Sequence, residues 1–510
     1  MNRVRRELGR LGPAVPGRSG MSRRELLRLS AVSAGALALP TTTLALPRGR
    51  ALPRIGIVGA GISGLNAALT LHDRGVPCSV FDAAPRVGGR MHSNAGLWAE
   101  GQVGEWCGEF IDTDHREMRH LAARFGLRLN DVDAADPKDS VVTNYFLGEY
   151  YTPGELAADL KAIAPVVNAQ ATAIGPNVRY DHYTQAGYAF DHLSAYDWIE
   201  TYVPGGHDSR LGRYLDVAIR TENGPETRNQ SSLNFLIGVN SDERFHIDGG
   251  NEQLPAAIAA ALPAGTIQLD TRLTAIVANS NGTVSLTFAA PSGSFEATFD
   301  YAILTLPFSV LRGLDFSRAN FDALKVADIR ELTYGTNSKL ELQFDQRYWD
   351  RRGSWGRIGN GFSDTDLAFQ QTWDSSRTQT GADGLLTDYT GGRGGASFQP
   401  DGPYTTSRNS AKTAAYAKDF LDQLDVVWPG VAAHYTGVAA LSYPTGDPNL
   451  LGSYSSRGVG QYTKFGGYEA VPQDRIFFGG EHTSYRFQGF MEGGAAEGRR
   501  AALAVLAAFR

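Results

Sequence analysis

The sequence predicts an α/β protein in which a discontinuous, Rossmann-like dinucleotide-binding domain is interrupted by an inserted α+β domain. Two observations carry this. Residues 54–90, RIGIVGAGISGLNAALTLHDRGVPCSVFDAAPRVGGR, read as strand, glycine-rich turn, helix and strand in the order of a βαβ unit. Far downstream, short strands and hairpins from 266 to 311 follow a largely helical stretch, so parts of one sheet are separated by insertions.

The opening unit is justified piece by piece. Ile55, Ile57 and Val58 form an apolar run suited to a buried strand. Gly59, Gly61 and Gly64 have G-x-G-x-x-G spacing. The first allows a tight turn, the second lets backbone approach a pyrophosphate, and the third lets helix and strand pack closely. Leu65, Ala68, Leu69 and His72 recur at helical intervals, and free amides at that helix start favour an anion. Val80 and Phe81 end in Asp82, 18 residues beyond Gly64, where a ribose-binding acid belongs.

Along the chain, 114–125 reads as a helix and 130–240 as mixed and largely helical, clearest at 156–163 and 193–202. Strands are expected at 266–269, 273–278, 283–288, 294–299 and 299–311, the last stopped by Pro307, and again at 333–344 around Lys339. Residues 375–410 read as loop-rich, 411–428 as a helix, 476–478 as a strand and 489–509 as a closing helix. The dinucleotide domain is accordingly assigned to 51–130, 245–315 and 440–510, and the insertion to 131–244 and 316–439.

Length and composition bound the function. The 510 residues suffice for two or three domains, and 42% hydrophobic with 20% charged residues is ordinary for a globular protein. A net charge of -6 gives no reason to expect nucleic acid. Two cysteines, Cys78 and Cys107, make neither a disulfide framework nor metal-ligand spacing, so no metal is expected. Residues 1–50 read as a targeting segment: Ser22-Arg23-Arg24-Glu25-Leu26-Leu27 has the twin-arginine pattern, and Met21 as a start would place it near the N-terminus. The apolar stretch 29–46 is broken by Pro40 and too weak for stable membrane insertion, so a periplasmic or secreted location is expected.

Four stretches make the chain resemble the flavin-containing amine oxidases, the family of monoamine, polyamine and L-amino-acid oxidases. They are the opening fingerprint with PRVGGR, then GGNEQLP with LTAIVAN and AILTLPFSVL, then TNSKLELQFDQRYWDRRG, and finally FFGGEHTSYRFQGFMEGGAAEGRRAA. The resemblance implies FAD as cofactor, contacted by Gly59, Gly61, Ser63, Gly64, Asp82, Gly89, Arg90, Leu273, Glu481 and Met491. Arg90 would touch the pyrophosphate, and Glu481 the ribityl chain. Lys339 matches the lysine that holds a water near flavin N5, and burial is expected to lower its pKa. Tyr454 and Phe490 fall where two rings flank the amine. Ser453 stands where monoamine oxidases have the cysteine that binds flavin covalently, so a noncovalent FAD is expected.

The implied reaction is oxidative deamination of an L-amino acid or primary amine: hydride transfer to flavin, an imine, then a carbonyl compound and ammonia, with hydrogen peroxide from O2. Polyamine oxidation, a flavin dehydrogenase or desaturase using another acceptor, and a binding module with structural FAD stand as alternatives. Ile111 occupies the place where many L-amino-acid oxidases carry a carboxylate-binding arginine. Glu105, Glu109 and Asp112 cluster there instead, and Glu109 and Asp112 are taken as substrate-binding acids suited to a cationic amine. Residues 183–202 or Arg357 are the candidates for a missing carboxylate contact. A small amine or amino acid and O2 are the partners expected, and a homodimer is the one assembly considered.

Overall fold

The computed structural model describes residues 52–238 and 241–509; the twin-arginine segment lies outside them. Its centre is a five-stranded parallel sheet. β1 (Ile55–Val58) leads into α1 (Ile62–His72), and β2 (Ser79–Phe81) follows. β3 (Ile267–Gln268), β4 (Tyr301–Leu304) and β5 (Ile476–Phe478) complete the order β5-β4-β1-β2-β3. β1 pairs Ile55 with Tyr301 on one side and Gly56 with Ser79 on the other. Every residue of β1 is buried, as its apolar run demands of a central parallel strand.

The glycines act as expected. Gly59 has φ +107°, and a Cβ on Gly64 would sit 1.8 Å from the Gly59 carbonyl oxygen. Gly61 caps α1 with no side-chain bond, which leaves the helix amides facing outward from the turn. α2 (Met491–Ala508) crosses α1 in backbone contact: a Cβ on Gly498 would come within 1.9 Å of the Ser63 carbonyl oxygen. Gly498→Ala is therefore expected to destabilise the protein by about 3 kcal/mol, the upper end of the over-packing range. Urea unfolding checks this, and a loss below about 0.5 kcal/mol would mean that the helices shift apart freely.

A four-stranded sheet of residues 272–278, 284–290, 293–299 and 315–318 lies on this unit through Phe81, which stacks on Phe288 at 4.3 Å. An eight-stranded sheet forms the opposite wall, in the order Tyr404–Thr406, Tyr435–Ser442, Ser338–Phe344, Gly384–Thr390, Gln371–Asp374, Gly359–Thr365, Val141–Phe146, Glu149–Tyr150. Helices Pro153–Ile174, Ala195–Tyr202 and Arg210–Asn223 pack beside it around Trp198, which is fully buried. Among the described residues no helix is long and apolar enough to cross a membrane.

The stretch 130–240 is mixed and largely helical as expected, with a hairpin at 141–150 that joins the eight-stranded sheet. Two expectations are corrected. The loop-rich reading of 375–410 misses Gly384–Thr390, a strand paired on both edges; its Gly and Asp content hides a strand whose stability comes from neighbours. The strand expected over 333–344 is two pieces: Thr333–Tyr334 pairs with Ser455–Ser456, while Ser338–Phe344 enters the large sheet.

Candidate active site

A cavity of about 600 Å³ runs between the parallel sheet and the eight-stranded wall. It is lined by every candidate residue named above except Gly64, Glu105, Ile111, Arg357 and residues 183–202. Gly64 lies beneath the turn, where its missing Cβ makes the turn possible.

One half of the cavity is polar and glycine-rich. Asp82 accepts the Ala60 amide at 2.6 Å through one oxygen and the Ala84 amide at 2.8 Å through the other. Burial raises its pKa, opposed by these amides. Ser63, which opens α1, lines the same space, and its buried Oγ has no partner in the protein. Arg86, Arg272 and Arg90 line the same half. Arg90 Nη1 donates to the Ser453 carbonyl at 3.0 Å and to Glu481 Oε1 at 2.9 Å. Arg90 thus joins the acid with which sequence reasoning paired it only through a ligand. Glu481 also accepts the Ser455 amide and hydroxyl and the Gly489 amide, at 3.1, 2.7 and 2.7 Å. Leu273 is buried on this wall, and Met491 opens α2 beside Gly108, whose Cβ would lie 3.1 Å from the Met491 side chain. The Ser453 hydroxyl donates to Asn337 Oδ1 at 2.9 Å.

The other half is aromatic. Tyr454 and Phe490 both face it, with Phe110, Phe362, Trp373 and Tyr389. The Tyr389 hydroxyl donates to the Tyr454 hydroxyl at 3.0 Å, and that in turn to the Thr221 carbonyl at 2.8 Å. Phe490 is backed by His115, fully buried, with ring centres 5.3 Å apart. His115 Nδ1 accepts the Asp112 amide at 2.9 Å, which leaves the proton of a neutral ring on Nε2, 3.3 Å from Asp112 Oδ2. Burial lowers the His115 pKa to about 3 and raises that of Asp112 to about 7.

Lys339 and Glu109 meet at the junction of the halves. Lys339 Nζ donates to Glu109 Oε2 at 2.8 Å and to the Glu105 carbonyl at 3.1 Å, and Trp373 Nε1 donates to the same Glu109 oxygen at 3.0 Å. One expectation changes here. Burial does act to lower the Lys339 pKa, but the facing Glu109 and Glu341 outweigh it and the pKa is raised. Glu109 lines the cavity and is the ion-pair partner of this lysine. Asp112 is likewise engaged, accepting the Ser241 hydroxyl at 2.9 Å and the Glu243 amide at 2.8 Å. Ile111 is a core residue, its amide bonded to the Phe245 carbonyl at 2.6 Å.

Several residues escaped sequence reasoning. Asn251, fully buried within GGNEQLP, donates to the carbonyls of Gly108 and Glu109 at 2.9 and 2.6 Å and so fixes the loop that carries Glu109. An uncharged polar residue between two motif glycines and a helix was the only signal. Trp373, Tyr389 and Gln371 share one sheet face because Gln371 pairs with Tyr389, a register that no local pattern discloses.

Residues 62–506 match the family described as flavin containing amine oxidoreductase. The chain belongs to that family. This flavin-dependent amine oxidase is 23% identical to the L-amino-acid oxidase of Siganus canaliculatus over 88% of its own length and 84% of the relative's. It is 24% identical to that of Vipera ammodytes ammodytes, over 84% and 87%. Its fold matches that of cyclohexylamine oxidase from Brevibacterium oxydans IH-35A with a TM-score of 0.75 at 20% identity, covering 90% of this chain and 100% of the other. A putrescine oxidase bound to putrescine matches with a TM-score of 0.69 at 16% identity, covering 90% and 99%. The cavity's polar half suits the family's flavin: the Gly61–Ser63 helix start, its amides free of a side-chain cap, and the acid Asp82 both line it.

Proposed function

We propose that this oxidase holds FAD noncovalently and oxidatively deaminates a primary amine that carries no α-carboxylate. The observation that carries this reading is the charge of the aromatic half. Its one basic side chain among the described lining residues is Lys339, already joined to Glu109, while Glu222 and Glu243 line the same region. A carboxylate there would lack the arginine that normally binds it bidentately, whereas a cationic amine is drawn in. A bound flavin supplies the two-electron chemistry, with dioxygen leaving as hydrogen peroxide. The protein's part is orientation. Tyr454 and Phe490 bracket the amine, with Tyr389 and His115 holding the two rings in place. The amine loses a hydride from its α-carbon, and water hydrolyses the resulting imine. Ser453 at the place of the covalent cysteine supports noncovalent binding, and flavin should separate from acid-precipitated protein.

Anaerobic flavin bleaching by a panel of monoamines, diamines and L-amino acids, followed by peroxide yield under air, tests the reading. Primary amines should reduce the flavin at least about tenfold faster than the matching L-amino acids. The curated relatives favour the second reading, an L-amino-acid oxidase, and faster bleaching by amino acids would establish it. Reduction without peroxide would point instead to another electron acceptor.

A further inference from the structure

Lys339, Glu341 and Gln343 alternate along one face of the Ser338–Phe344 strand, and all three are buried. That face packs on the 93–109 segment. The Glu105 peptide touches both charged side chains: its carbonyl accepts Lys339 Nζ at 3.1 Å, and its amide donates to Glu341 Oε1 at 3.2 Å. The Thr387 hydroxyl donates to the same Glu341 oxygen at 3.4 Å. Glu341 Oε2 is buried with no partner, and only the missing Cβ of Gly104 makes room for it, at 2.3 Å. The Glu105 carboxyl accepts the Asn251 amide at 2.7 Å and the Ser93 hydroxyl at 2.9 Å. Further along the face, Gln343 Nε2 donates to Gln102, and Gln102 to the Asp383 carbonyl at the half-exposed rim.

Three carboxyls, Glu105, Glu109 and Glu341, therefore face one lysine, all four groups buried. Neighbouring strands offer Glu341 only Thr387 and Ala440, and Lys339 only Tyr389 and Ser442. One ammonium cannot balance three carboxylates there, so protons must reside on the acids. Glu109 holds the shortest contact to Lys339. The oxygen that lacks a donor is the natural seat for a proton.

We infer that Glu341 is a proton reservoir for Lys339, storing one proton on Oε2 and returning it when Lys339 gives its own to the cavity. The step balances: the ammonium becomes an amine as it donates, the Glu341 acid, which does not touch Nζ directly, re-protonates that amine through intervening water and becomes a carboxylate, and solvent then restores the acid. Glu341 acts through Lys339 and is a positioning residue. Burial raises its pKa to about 7 and that of Glu105 to about 8, in keeping with acids that are protonated near neutrality.

The inference rests on the oxidase reading for its role in turnover, but not for the proton itself. Infrared difference spectra of the resting holoenzyme, taken without amine, report buried carboxylic acids across a pH titration. The wild type should lose such a band as pH rises through about 7, and Glu341→Gln should lack that component. In turnover, Glu341→Gln should lower kcat about tenfold with KM for the amine unchanged, and remove the fall in kcat as pH rises past neutrality. Glu341→Asp should restore both signals, which a merely structural role would not. An infrared titration unaltered by Glu341→Gln would overturn the inference, as would a wild-type pH profile in that variant. Should Glu341→Gln fail to fold, the frequency shift of the band in Glu341→Asp decides, and an unshifted band is equally fatal. If no amine bleaches the flavin, the oxidase reading falls while the infrared result still stands.

Discussion

Lys339→Met is expected to cut turnover at least about tenfold, a barrier increase of about 1.4 kcal/mol, and to destabilise the fold as well. The second effect comes from Glu109. With the ammonium gone, a buried carboxylate keeps only the Trp373 N–H, and breaking one side of such a pair costs about 3–5 kcal/mol. The two effects separate in Lys339→Met/Glu109→Gln. The amide can still accept from Trp373 and carries no charge, so stability should return while turnover stays low. Steady-state kinetics beside urea unfolding would show this. Recovery of turnover with stability would place Lys339 in the scaffold alone.

Glu481→Gln should release the flavin. The carboxylate gathers Arg90, two groups of Ser455 and the Gly489 amide on two oxygens. An amide nitrogen would face some of these donors and leave Arg90 uncompensated, again at about 3–5 kcal/mol. Flavin retained on gel filtration, read by its visible absorbance, should fall by more than about tenfold in affinity. The same contact sets a pH dependence. Burial alone would raise the Glu481 pKa, but Arg90 holds it below the ordinary value. Its stabilisation is therefore fully present above an unfolded pKa of about 4.3 and is lost as pH falls below it. A wild-type advantage over Glu481→Gln that stays the same from neutral to acid pH would contradict this.

What the sequence discloses and what it hides divide along contact distance. The Gly59–Gly64 turn, Asp82 and the helix of α1 form within some thirty residues, and each has a local signature. Glu481 is legible because its own neighbours, two glycines after a strand, repeat a recognisable pattern. The surroundings of Lys339 are different. Its partner lies 230 residues away, and the acids that raise its pKa come from two separate segments. Strand alternation says that Lys339 is out of place on a buried face but not what answers its charge. The expectation of a lowered pKa followed from burial alone and failed because the neighbouring carboxylates outweigh burial. Tyr389 and Trp373 were hidden for a related reason: short strands rich in Gly, Asp and Thr become visible only through the sheet that pairs them.

The arrangement of β1 against β4 and β5 has a consequence for how the chain matures. Roughly 400 residues separate β1 from β5 and α2, so at about 5–20 residues per second the ribosome needs about 20–80 s to deliver the far side of the same pocket. Until then α1 has no partner at Ser63, and the acid that anchors Arg90 does not yet exist. A nascent chain stalled before residue 476 should therefore retain no flavin, however complete its opening fingerprint. Cofactor loading is thus a late event in biogenesis and a natural checkpoint for a finished molecule.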